Sequence, residues 1–284
     1  MNDFEAVFSK IGFMQGRLSP IVDGKIQSFP KTNWRSEFEQ ARELNLKNME
    51  WTLDQEDLYD NPIMTINGRE EILKLKEENN LNIPSLTGDC FMQSPFWKAD
   101  NDERKKLEND FRSIIESCGI LGIRIVVIPL VDNGSLENSY QFDILSSFLK
   151  ENLGLIKSNK VIITFESDYS PKELGKFIEK FDPELFGINY DIGNSAALGF
   201  SPIEEFNSYG SRVLNVHIKD RPFGGTTVPL GEGDADFLNV FKMLRDFRYS
   251  GNYILQTARS YDEKHSTVLK IYKEFTEDLL INYL

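Results

Sequence analysis

Short runs rich in Val, Ile, Phe and Tyr recur along the chain, each following a polar stretch that ends at Gly, Asn or Pro. They are KIGFMQG (10–16), KNMEWT (47–52), NIPSLT (82–87), IRIVVIPL (123–130), KVIITFE (160–166), LFGINYD (185–191), RVLNVHI (212–218) and NYILQT (252–257). Between them, WRSEFEQARELN (34–45), EEILKLKEENN (70–80), RKKLENDFRSIIESCG (104–119) and FLNVFKMLRDF (237–247) repeat apolar residues at spacings of three and four, as helices with one buried face do. Eight strands alternating with helices imply a parallel sheet. Strands that read as nearly continuous apolar runs favour an α/β fold of the closed (β/α)8 type, a TIM barrel, over an open doubly wound sheet. No strand leads into GxGxxG, and no linker or low-complexity segment divides the chain, so one domain over 1–284 is expected.

A length of 284 residues suits one such barrel, and 40% hydrophobic with 27% charged residues excludes a disordered chain. The net charge of −13, with no basic run, argues against a nucleic-acid partner, because phosphate binding requires clustered Lys and Arg. The amino terminus lacks the basic start and apolar stretch of a signal peptide, and no apolar segment approaches the roughly 18 residues of a membrane span. A cytoplasmic protein with no membrane partner is therefore expected. Cys90 and Cys118 form no CxxC and suggest no disulfide framework. Histidine is limited to His217 and His265, so any metal centre must rely mainly on oxygen ligands.

In a barrel of this kind, chemistry sits at the carboxy-terminal ends of the strands. Four consecutive strands end there in polar residues: Glu166, Asp191, His217 and Gln256. Any one of them is explained equally well as the start of a solvated loop. The four together suit a divalent-metal site, and a lone His within VLNVHIKD needs a partner where it is buried.

On these residues the chain resembles the xylose isomerase-like TIM barrel superfamily, which holds sugar isomerases, sugar 3-epimerases, inosose dehydratases and endonuclease IV. The resemblance is carried by ITFES, YDIGN, VHIKDR and LGEGDADF, and more loosely by GFMQGRLSP and NMEWT. It implies that Glu166, Asp191, His217 and the strand 8 residue hold one Mn²⁺, Mg²⁺, Co²⁺ or Zn²⁺, with oxygens of a sugar completing the shell. A homodimer is a family expectation. Endonuclease activity is not expected, since that relationship implies several metal-binding histidines and a basic surface.

The chain departs from the family where many relatives carry a second Glu, at Gln256, and where many carry a substrate-contacting His, at Asn194. Two carboxylates, one imidazole and one amide carry a charge of −2, so a divalent ion would be just neutralised and would remain a good Lewis acid. An amide cannot take a proton, which favours a one-base route in which Glu166 moves a proton between adjacent carbons, giving aldose–ketose isomerisation. Lys219 or Asp89 is the candidate second group. Arg17, Arg221 and Arg259 follow three neighbouring strands and suit the anion of a sugar phosphate, unless they pair with acids such as Asp220 or Glu232. Asn194 suits a sugar hydroxyl or a turn. Phe13, Trp51 and Phe91 are expected either as an apolar wall for the sugar or as core. Glu50 is expected at the barrel mouth or lining, with no catalytic role assigned. The glycines of FGGTTVPLGEGDADF suggest a mobile lid, with Asp236 as N-cap of the next helix. The leading function is metal-dependent isomerisation of a sugar or sugar phosphate. The alternatives are 3-epimerisation, dehydration of a keto-cyclitol, or a barrel that binds sugar without turning it over.

Overall fold

The computed structural model describes residues 3–283; the expected domain also takes in residues 1, 2 and 284, which lie outside the described residues. Eight strands close into a parallel barrel in chain order: β1 (Ile11–Met14), β2 (Asn48–Thr52), β3 (Asn82–Thr87), β4 (Ile125–Leu130), β5 (Ile162–Ser167), β6 (Phe186–Asp191), β7 (Val213–Ile218) and β8 (Asn252–Leu255). Closure is made by β1 on β8, with Ile11, Gly12 and Phe13 paired to Tyr253, Ile254 and Leu255. Each strand coincides with one of the apolar runs.

The helices form where apolar spacing and end signals agree. Helix Ile66–Asn79 starts at Thr65, whose hydroxyl accepts from Gly68 N at 3.0 Å, and stops at Asn80 in the left-handed region. Helix Asn101–Leu121 stops at Gly122, whose φ of 73° costs a glycine little. Helix Pro171–Ile178 opens with a reciprocal Ser170–Glu173 capping box. Asp236 caps helix Phe237–Asp246 by accepting from Asn239 N, as its position suggested.

Between strands and helices lies an apolar layer in which Phe165 on β5 packs on Phe177, Phe181 and Phe186 at centroid distances of 5.1, 5.1 and 6.1 Å. Phe13, Trp51 and Phe91 belong to this core and line no sugar cavity, so of their two expected roles they take that of core and form no apolar wall. Trp51 sits edge-on to Trp34 and donates its indole N–H to Asn61. Cys90 and Cys118 are both buried free thiols. No helix among the described residues is long and apolar enough to cross a membrane.

Inside the barrel the strands are not continuously apolar. Asn189 and Asp191 on β6, Asn215 and His217 on β7, and Thr164 and Glu166 on β5 alternate with core residues, so one face of each strand sends polar groups to the barrel axis. The β6–β7 register shifts between Ile188 and Asn189, and the β2–β3 register between Asn48 and Glu50. Such irregularities re-aim side chains, and both fall beside members of the polar network described next.

Candidate active site

His217 is fully buried near the end of β7, directly paired with Asp191 of β6. Its Nε2 lies 2.7 Å from Glu50 Oε1, contributed by β2 across the barrel. Its Nδ1 lies 3.1 Å from Asn189 Nδ2, 3.3 Å from Glu166 Oε2 and 3.9 Å from Asp191 Oδ2. Burial opposes charge on this ring, but Glu50, with Asp191 and Glu166, outweighs it and holds the imidazole pKa well above its ordinary value.

Two amides extend the network. Asn215 donates to Glu50 Oε2 and to Asn189 Oδ1, both at 2.8 Å, and Asn189 donates to Glu166 Oε2 at 2.7 Å. Asn194 donates to the other Glu166 oxygen at 2.7 Å, so this carboxylate is gripped from two sides. Glu50, Asn189 and Asn215 were not assigned to the site from sequence. Their visible signal was polar residues repeating at every second position within apolar strands.

Glu166, Asp191 and His217 each offer one ligand atom, all within 4.8 Å of one another and all buried. Two carboxylate oxygens and an imidazole nitrogen fit Mn²⁺, Co²⁺ or Zn²⁺, and the Glu50 carboxylate behind the ring is the outer partner that ligating histidines commonly have. The fourth strand end is arranged differently. Gln256 Oε1 accepts from Lys219 Nζ at 3.3 Å, and its Nε2 donates to Gln27 Oε1 at 2.8 Å. Gln27 in turn donates to Asp89 Oδ2 at 2.7 Å. An oriented chain of amides thus runs from an ammonium to a carboxylate across the mouth. Gln27 lies in the loop after β1 and carried no sequence signal.

Lys219 Nζ also reaches Asp191 Oδ2 and Asn194 Oδ1, each at 3.1 Å. Burial alone would raise the Asp191 carboxyl, yet the Lys219 charge, hydrogen bonding from His217 and the Asn194 backbone N–H bring it down to about 2. Asp89 moves the other way: burial pushes its carboxyl up to about 7, partly offset by the Gln27 hydrogen bond.

These groups open into a cavity of about 500 Å³ lined by Asp89, Glu166, Asn194, Lys219, Arg221 and Gln256 together with apolar groups such as Ile26 and Met92. Only one of the three candidate arginines lines it. Arg221 does, donating to Asn194 Oδ1 at 2.7 Å and to Gly225 O. Arg17 is buried with Nε on Thr257 O at 2.9 Å, Nη1 on Ile26 O at 3.0 Å and Nη2 on Gln27. Its donors are used to join the loops after β1 and β8, so it positions Gln27. Arg259 donates to Ser19 O and also lies outside the cavity lining.

Among the described residues Asp220 pairs with no arginine. It is fully buried and accepts from Gly231 N at 2.8 Å, Gly233 N at 3.0 Å and Ala235 N at 3.1 Å, tying the glycine-rich loop to β7. The segment expected as a mobile lid is thus fastened at its second half. His265 begins helix His265–Tyr283 and joins no ligand cluster among the described residues.

Comparison with known proteins bears on the family and the fold. Residues 38–274 match the xylose isomerase-like TIM barrel family. An L-ribulose-5-phosphate 3-epimerase, UlaE, of Escherichia coli O1:K1 / APEC is 26% identical over 237 residues, covering 78% of this chain and 81% of the relative. An inosose dehydratase of Geobacillus kaustophilus is 29% identical over 133 residues, 40% of this chain and 42% of the relative. Among solved structures, the IolI protein with a bound zinc atom superposes with a TM-score of 0.78 at 15% identity, covering 97% of this chain and 99% of that one.

Proposed function

The chain belongs to the xylose isomerase-like TIM barrel family, and on that footing we propose that it isomerises a free or phosphorylated sugar by moving a proton on carbon beside a carbonyl, with a divalent ion held by Glu166, Asp191 and His217. The observation that carries this reading is the Glu166 carboxylate. It lines the cavity with both oxygens oriented by amide donors, beside two further ligand groups and two cationic side chains.

When bound, the ion supplies Lewis-acid polarisation of a substrate carbonyl oxygen. Glu166 is the base that takes the proton from the adjacent carbon. Asn189 and Asn194 fix its direction, so it need not reorient when it acts. Arg221 and Lys219 favour negative charge developing on substrate oxygen, and Arg221 is the remaining guanidinium in the cavity for a phosphate. Gln256 offers only a neutral oxygen, already shared with Lys219, and takes no proton.

A second reading, epimerisation, is favoured by Asp89. Its carboxyl lines the same cavity and titrates near neutrality, so it is suited to returning a proton that Glu166 removes. The name of the UlaE relative points the same way.

The test is incubation of the protein, supplied with Mn²⁺, Mg²⁺, Co²⁺ or Zn²⁺ in turn, with a panel of sugars and sugar phosphates in D₂O. Deuterium entering one substrate at carbon, and failing to enter with the Glu166→Gln variant, supports the reading. Deuterium with product inverted at one carbon selects epimerisation; a changed carbonyl position selects isomerisation. No exchange on any sugar with any metal would overturn both.

A further inference from the structure

Three oxygen atoms converge on the Lys219 ammonium: Asp191 Oδ2 at 3.1 Å, Asn194 Oδ1 at 3.1 Å and Gln256 Oε1 at 3.3 Å. An ammonium has three N–H donors, and here each has an acceptor. Two of the three oxygens belong to strand ends expected to ligate a metal. The third, Asn194, also receives Arg221 and so serves as an acceptor for two cations at once.

The amide orientations suit this arrangement. Gln256 turns its oxygen to Lys219 because its nitrogen is committed to Gln27, whose own nitrogen is committed to Asp89. Asn194 turns its oxygen to Lys219 because its nitrogen is committed to Glu166. Room for the lysine stem comes from Gly193. A Cβ there would stand 2.6 Å from Lys219 Cγ and 3.0 Å from its Cβ, so any larger residue at 193 would push the side chain aside.

We propose that Lys219 is the resident cation of the Asp191–Gln256 side of the site and that a divalent ion must compete with it, so that Lys219 sets the protein's metal affinity. This inference rests on the metal reading above. The physical basis is that the Asp191 oxygen nearer the ring, 3.9 Å from His217 Nδ1, is also the one 3.1 Å from Lys219 Nζ, so a divalent ion held between Asp191 and His217 would face a unit positive charge on the same carboxylate. Either the ammonium withdraws from Asp191 and Gln256, or the ion binds weakly through Glu166 and His217 alone. Lys219 on this account limits metal affinity, in addition to favouring negative charge on substrate oxygen.

The experiment is calorimetric titration of Mn²⁺ into the metal-stripped full-length protein and its Lys219→Met, Lys219→Gln and Arg221→Met variants. Lys219→Met is expected to bind Mn²⁺ at least about tenfold more tightly than the unaltered chain, because a positive charge is removed from beside the Asp191 and Gln256 oxygens. Arg221→Met removes an equal charge that touches Asn194 but neither Asp191 nor Gln256, and is expected to stay within about threefold of the unaltered chain, since charges held further off are better screened. Lys219→Gln keeps a donor for Asp191 and preserves the buried network, so it provides the same comparison if the Met variant does not fold. Equal affinity for the unaltered chain and both Lys219 variants overturns the inference while leaving a metal site. Equal tightening by Arg221→Met also overturns it, by reducing the effect to net charge. No binding by any variant overturns the inference together with the metal half of the proposed function.

Discussion

Glu50 and His217 meet 2.7 Å apart at the barrel axis although 167 positions separate them in the chain, and both are fully buried. The contact fixes the ring so that Nδ1 faces Glu166 and Asp191. Loss of such an outer partner commonly reduces metal affinity or activity by about 10- to 100-fold. Glu50→Gln keeps the shape and an acceptor oxygen but removes the charge, so Mn²⁺ affinity should fall by roughly that factor at its lower end. Titration calorimetry on the folded variant checks this; an unchanged affinity would show that the contact only fills the barrel.

Asp89 provides a pH signature. Its carboxyl is held at about 7 in the fold, mainly by burial, so it is a proton donor below that pH and loses the role above it. If it returns a proton to substrate, kcat/KM should fall as pH rises through about 7, and Asp89→Asn should be slow and lack that limb. Gln27→Ala removes a hydrogen bond that lowers this pKa, so the limb should move to higher pH. Profiles between pH 5.5 and 8.5 decide the matter, and a limb unchanged in Asp89→Asn removes the residue from the reaction.

Glu37 links pH to stability. Its buried carboxylate accepts from Gly16 N and Leu18 N, yet burial still pushes its pKa up to about 7. The unfolded value is about 4.3, so between these limits the folded state binds more protons than the unfolded state. Its contribution is therefore largest at or below the unfolded value and declines as pH rises towards 7. Glu37→Gln, which keeps an acceptor and cannot ionise, should show a shallower fall in Tm from pH 5 to 8; parallel curves for the two proteins would assign the pH dependence elsewhere.

Asp220 should be the most sensitive point of the glycine-rich loop. Replacing it with Ala leaves the N–H groups of Gly231, Gly233 and Ala235 without their acceptor, which should cost about 1–3 kcal/mol unless water takes its place. Urea unfolding should register the loss, and limited proteolysis should cut between residues 223 and 236 faster than in the unaltered chain. Equal cleavage rates would mean that the Asp220–Val228 bridge holds the loop without the carboxylate.

The strands, their order and the polar residues at their carboxy-terminal ends were legible in the sequence, because hydrophobic period, turn residues and caps act over a few neighbouring positions. That is why Glu166, Asp191 and His217 could be picked out together, and why Asp236 could be placed as a cap. What each side chain does once there was decided by closure of the barrel. Closure brings β2 against β7 at the axis, turns Arg17 inward onto Thr257 and Ile26, and leads Lys219 past Gly193 into a ring of oxygens. It also buries Phe13, Trp51 and Phe91 in the core. These outcomes depend on contacts between residues far apart in the chain, and a local pattern carries no information about which distant donor or acceptor a buried polar group will meet.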